Sequence, residues 1–126
     1  MATIKSYTDL EQSKKLAEIL PLESADMCWQ YQKDRWVGEP YYKEFPQFEH
    51  ATDKRDIPCW SLAALLGVLP KRLEIVDNVY ELSVCFYGLY YWNINNGNLL
   101  LEVKDKDNFV DACYEMILKL HERKML

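Results

Sequence analysis

Apolar and polar residues alternate from Leu73 to Val103, the period-two pattern of strands that bury one face. Turn chemistry divides this stretch into four strands. Asn96-Gly97 reads as a type I′ turn, whose two central positions both need φ > 0, and it sets Ile94 opposite Leu99, Trp92 opposite Leu101 and Tyr90 opposite Val103. A three-residue loop Phe86-Tyr87-Gly88, with Gly88 left-handed, aligns Val84 with Tyr90 and Leu82 with Trp92. A two-residue turn at Asp77-Asn78 brings Ile75 to Tyr80 and Leu73 to Leu82. The pattern thus predicts an antiparallel meander over about residues 73–103, with Tyr80, Leu82, Tyr90, Trp92 and Leu101 on one apolar face. A slip of one residue would carry a strand's apolar set into water.

Three helices are predicted around it. Thr8-Asp9-Leu10-Glu11 has the form of a capping box opening a helix over about 9–20, with Leu10, Leu16, Ala17 and Leu20 on one stripe and Pro21 as its stop. Ser61 is a candidate N-cap for a helix over about 61–69, whose stripe is Leu62, Leu65, Leu66 and Leu69. The widest apolar face belongs to a helix over about 108–123, formed by Phe109, Val110, Ala112, Cys113, Met116, Ile117 and Leu120, with Asp111 in the first turn to suit the helix dipole. Periodicity weakens between about residues 27 and 56. Short strands are expected at 27–31 and 35–37, and Pro40 and Pro46 resist both helix and central strand. Strands grouped beside helices give the α+β class with an antiparallel sheet, expected as one domain over 126 residues.

Composition narrows the function more than it defines it. A net charge of −5, with Lys and Arg scattered among acids, argues against a nucleic-acid partner, because phosphate neutralisation needs clustered cations. The same interleaving disfavours an acidic mimic of nucleic acid. No run approaches the roughly 18 apolar residues of a membrane helix, and Met1 to Ser6 carries no apolar leader core, so no membrane association and a cytoplasmic location are expected. The 4 glycines are isolated, which leaves no phosphate-binding loop. The 4 cysteines have none of the short spacings of a zinc site, so neither a metal nor any other cofactor is expected.

With 2 histidines, acid–base schemes are few. Glu74 and Glu81 face one another in the predicted register, and solvated repulsion is the simpler reading of that pair. Cys59 precedes a helix N-terminus, where a thiol pKa can fall, and Cys85 lies on the outer sheet face. Either thiol, with His50, defines an alternative reading: a small-ligand or thiol-dependent enzymatic site between the aromatic segment and the outer sheet face.

Aromatic residues supply the leading candidate surface. Trp29, Tyr31, Trp36, Tyr41, Tyr42, Phe45 and Phe48 crowd into the weakly periodic segment, and Tyr91 is expected on the outer sheet face. Tyr and Trp are costly to leave in water and are enriched at interaction hot spots. Trp29, Trp36, Tyr41, Tyr42, Phe45 and Tyr91 form the predicted interaction surface. Its expected partner is a protein, another copy of the chain included.

Two blocks, Ile57 to Leu66 and Asp111 to Glu122, together with Leu10 to Met27, resemble a group of short bacterial proteins found in gut anaerobes and their mobile elements. The C-terminal part is also similar to the phage-borne α/β/α ("ABA") sandwich domain, in which strands precede a helix bearing an alanine and an aromatic residue. Asn108-Phe109 stand here where that domain has a proline. The resemblance implies a small helix-and-sheet sandwich and a mobile-element or phage-related origin. It transfers no activity and no site residue, and the leading expectation is a non-enzymatic protein-interaction module.

Overall fold

The computed structural model describes residues 5–33, 36, 38, 40–85 and 88–126. In chain order they form α1 (Leu10–Ala17), a 3₁₀ turn (Leu22–Ser24), β1 (Met27–Trp29), β2 (Tyr31–Lys33), β3 (Pro40–Tyr42), β4 (Ile57–Cys59), α2 (Leu62–Val68), β5 (Arg72–Ile75), β6 (Asn78–Cys85), β7 (Gly88–Asn93), β8 (Leu99–Lys104) and α3 (Phe109–Glu122). The class is α+β with antiparallel sheets. The chain divides into two compact units, Ser6–Ala64 and Leu65–Leu126, the latter joined by Lys5. The strand expected at 35–37 lies outside the described residues.

In the second unit β5, β6, β7 and β8 pair in sequence order as a four-stranded meander. α3 packs over β7 and β8, burying Val110, Ala112, Cys113, Met116, Ile117 and Leu120. Asn108 caps α3 by accepting from Asp111 N at 2.8 Å, and Lys5 Nζ reaches the Asp111 carboxylate at 2.8 Å.

The strands stand where the alternation puts them, but the register differs at all three hairpins. Leu73 pairs with Tyr80 and Ile75 with Asn78, so the first turn is Val76-Asp77 rather than Asp77-Asn78. This shift of two leaves every side chain of β5 and β6 on its predicted face. Between β6 and β7 the shift is one, with Leu82 opposite Tyr91 and Val84 opposite Leu89. Gly88 pairs with Cys85 inside the ladder and is not a left-handed loop residue; Phe86 and Tyr87 of the predicted loop lie outside the described residues. β7 is therefore turned over. Leu89, Tyr91 and Asn93 are buried on the inner face, while Tyr90 and Trp92 pack against each other on the outer face, ring centroids 5.5 Å apart.

Gly97 occupies a left-handed conformation (φ 74°), but Asn96 does not, so a two-residue type I′ turn is not formed. Instead Asn93 N bonds to Asn98 O at 2.8 Å across a four-residue loop, and the buried Asn93 Oδ1 accepts from Asn95 N and Asn96 N at 2.9 and 3.2 Å. The four-residue loop shifts the pairing by two. A bulge that leaves Leu100 unpaired, with Tyr91 opposite Leu101 and Trp92 opposite Leu99, shifts it back by one. That odd step returns Leu101 and Val103 to the inner face against the inverted β7. The predicted pairing of Glu74 with Glu81 is corrected too: Glu81 lies opposite Arg72, whose guanidinium it meets at 2.9 Å.

Val76, at φ 54° and 91% exposed, holds the left-handed region that a β-branched residue rarely enters. Relief of that strain is worth about 1–2 kcal/mol, offset by the roughly 0.5–1 kcal/mol of backbone entropy that glycine loses on folding. Val76→Gly should therefore raise stability by roughly 0.5–1 kcal/mol in urea denaturation, with Val76→Ala gaining less.

Candidate functional site

In the unit Ser6–Ala64, the predicted aromatic surface is divided between an inner and an outer set. β1 pairs with β4, placing Met27 opposite Cys59 and Trp29 opposite Ile57. Met27, Trp29 and Cys59 form a small core against which Tyr7, Leu10, Tyr42 and Ile57 pack. Trp29 is only 9% exposed, stands edge-on to Tyr7 at 6.0 Å and donates from Nε1 to Ser13 Oγ at 3.2 Å. It is a core residue, and its place in the predicted surface is corrected. Tyr91 is corrected likewise: it is fully buried in the other unit, with its hydroxyl donating to Pro70 O at 2.7 Å.

A buried polar network underlies the Trp29 cluster. Thr8 Oγ1 lies 2.8 Å from Ser13 Oγ and accepts from Trp60 N at 3.2 Å. This work inside the unit removes Thr8 from its predicted capping role. Asp9 caps α1 instead, accepting from Gln12 N at 2.8 Å while Gln12 Oε1 accepts from Asp9 N at 3.1 Å. Cys59 Sγ donates to Thr8 O at 3.4 Å, and burial pushes its thiol pKa up. A fully buried, neutral, donating thiol is a poor nucleophile. Ser61 does cap α2, with Ala64 N donating to its Oγ at 3.2 Å.

β2 and β3 pair with Tyr31 opposite Tyr42 and Tyr41 opposite Gln32. Because neighbouring side chains on a strand point to opposite faces, Tyr42 and Tyr41 separate. Tyr42 turns in, edge-on to Tyr31 at 5.9 Å, and its hydroxyl donates to Arg55 O at 3.0 Å. The Arg55 guanidinium lies over the Tyr31 ring, 4.2 Å from its centroid, and its Nε and Nη2 donate to the two carboxylate oxygens of Asp53 at 2.9 and 2.8 Å. The side-chain bonds from Arg55, reinforced by its backbone N–H, hold the Asp53 carboxyl down to about 2. Desolvation opposes ionisation of Asp56, yet N–H bonds from Tyr31, Asp53 and Thr52 outweigh it and lower its pKa. The short turn 52–56 thereby fastens the hairpin from below.

Four aromatic rings stay outside: Tyr41 at 50% exposure, Phe45 at 60%, Phe48 at 75% and Trp36 at 90%. Three of them belong to the predicted surface, and Phe48 belongs to the same aromatic crowd. The organisers Arg55 and Asp56 carry no aromatic signal. Their only trace in the sequence is the polar run Thr52-Asp53-Lys54-Arg55-Asp56, a turn composition.

His50 lines a solvent-open pocket of about 200 Å³ with Leu22, Glu23, Ala25, Met27, Ala51 and Pro58. That volume is below the roughly 300–1,000 Å³ of small-molecule sites. Among the described residues no three His, Cys, Asp or Glu side chains gather as metal ligands, and no helix is long and apolar enough to cross a membrane. No protein-family model, curated protein or solved structure matches the chain.

Proposed function

We propose that the chain is a non-enzymatic protein-interaction module whose contact surface is the outer aromatic set of the unit Ser6–Ala64. The observation that carries this reading is the exposure of Trp36, Tyr41, Phe45 and Phe48, half or more of each residue's surface, within 13 residues of one another in sequence. Rings of this kind, anchored beside a tightly bonded hairpin, present large contact area with little conformational entropy to lose on binding. Charge sets the kind of partner. This unit carries 11 Asp and Glu against 7 Lys and Arg, so a protein surface with basic residues around apolar pockets fits it best. The mobile-element setting rests on the resemblance of the two sequence blocks alone.

The test is a triple variant, Trp36→Ala, Tyr41→Ala and Phe45→Ala. Exposed rings support stability little, so its urea midpoint should stay close to that of wild type. Capture of the partner from source-cell extract should fall at least about 100-fold, the combined loss of two or three hot-spot rings. A large loss of stability, or undiminished capture, would assign these rings to another role.

A further inference from the structure

We infer that the outer edge of β8 pairs antiparallel with β8 of a second copy of this chain. This surface lies in the unit Leu65–Leu126 and is independent of the aromatic set described above.

The backbone directions are readable from the ladder. Asn93 N bonds toward β8 through Asn98 O, whereas Ile94 N bonds toward β6 through Val79 O. Odd-numbered residues of β7 therefore direct their polar groups to β8, and Leu89 and Tyr91 do so against Val103 and Leu101. Glu102 and Lys104, opposite Tyr90 and Gly88, must then direct their N–H and C=O groups away from β7. Consistent with this, the Glu102 carbonyl accepts a side-chain bond, from Lys119 Nζ at 3.0 Å. Among the described residues no strand pairs with β8 there.

The edge is complementary to itself. A two-fold axis at Val103 sets Glu102 of each copy opposite Lys104 of the other, on the outer sheet face. Both pairs are of the type that exchanges two main-chain hydrogen bonds, which gives four such bonds and two ion pairs about the axis. Neither the Glu102 carboxylate nor the Lys104 ammonium has an ion-pair partner among the described residues, so the match leaves no existing pair broken. Spacing permits it as well. Each α3 lies over β7 and β8, and two further strand spacings of about 4.8 Å put the α3 helices about 10 Å apart, an ordinary helix-packing distance. Lys119 is the brake on the association, since its bond to the Glu102 carbonyl must be released in both copies.

Sedimentation of the whole chain from about 10 µM to about 1 mM tests this, with amide exchange at Glu102 and Lys104 as the local readout. Wild type should show a concentration-dependent dimer in which those two amides gain protection. Lys119→Met should tighten it roughly tenfold or more, because two charge-assisted bonds no longer compete. Glu102→Lys and Lys104→Glu should each abolish the dimer by setting like charges face to face, and the double swap E102K/K104E should restore it, with circular dichroism verifying that each variant is folded. Wild type that stays monomeric throughout overturns the inference, even if Lys119→Met dimerises, since the edge would then be a guarded one. A dimer indifferent to E102K, or a double swap that recovers nothing, overturns it too and assigns self-association to another surface.

Discussion

Replacing Gly88 by alanine is expected to cost on the order of 4 kcal/mol, among the larger effects a single methyl group can have. A Cβ built on Gly88 would sit 1.8 Å from the Val103 carbonyl oxygen, 2.9 Å from the Val103 carbonyl carbon and 3.0 Å from Lys104 Cα. All three atoms are backbone of the adjacent strand, so no rotamer change can clear the space. The φ of 152° adds strain that an L side chain tolerates poorly. Relief requires β7 and β8 to part at the end of their ladder, where Gly88 faces Lys104 and Leu89 faces Val103. Against a total stability of about 5–15 kcal/mol, such a loss would move the urea midpoint a long way. Gly97→Ala is the control. It shares a positive φ of 74°, yet nothing lies within 4 Å of its added Cβ. Its cost should stay near 1–2 kcal/mol, roughly that of the backbone conformation alone. Equal losses at the two sites would mean that conformation, and not the approach of β8, demands glycine at position 88.

Gly88 also shows why the register was less legible than the elements. A glycine at the end of a strand pattern signals either a left-handed loop residue or a close backbone approach, and the signal is the same letter in both cases. Here it is the second: Gly88 joins the ladder opposite Cys85, and β7 turns over. Asn96-Gly97 carried a similar ambiguity, because the side chain of Asn93 organises a longer loop that competes with the two-residue turn. The bulge at Leu100 then corrects the phase of β8. Such a bulge has no local signature in a run of three leucines.

Elsewhere the local signals were clear, and packing chose among them. Thr8-Asp9-Leu10-Glu11-Gln12 contains two overlapping capping boxes, one from Thr8 and one from Asp9. The burial of Thr8 beside Ser13 and Trp60 leaves Asp9 as the cap. Within the candidate surface, composition marked the segment but could not sort it. Tyr41 and Tyr42 are adjacent and chemically identical. Only the pairing of β2 with β3 decides that one faces solvent and the other meets Tyr31 and Arg55.

Tyr91→Ala should cost about 3–5 kcal/mol, whereas Tyr90→Ala, one residue away on the outer face, should cost under about 1 kcal/mol. Tyr91 is fully buried under α3 between Leu82 and Leu101, and its removal leaves a cavity lined by side chains that cannot all collapse into it. Tyr91→Phe separates the ring from its hydroxyl. The ring stays, but the Pro70 carbonyl loses its 2.7 Å donor, a loss of about 1–2 kcal/mol. The same hydroxyl gives a pH signature. Burial raises the phenol pKa above its ordinary value of 10.0, so the native protein resists its ionisation while the unfolded chain does not. A group with a raised folded pKa contributes fully below its unfolded value, and the contribution declines as pH rises above it. Stability should therefore fall above pH 10, and Tyr91→Phe should show a shallower fall than wild type in urea titrations across that range. With the two substitution costs reversed, Tyr90 would be the inward residue and β7 would present its other face to α3.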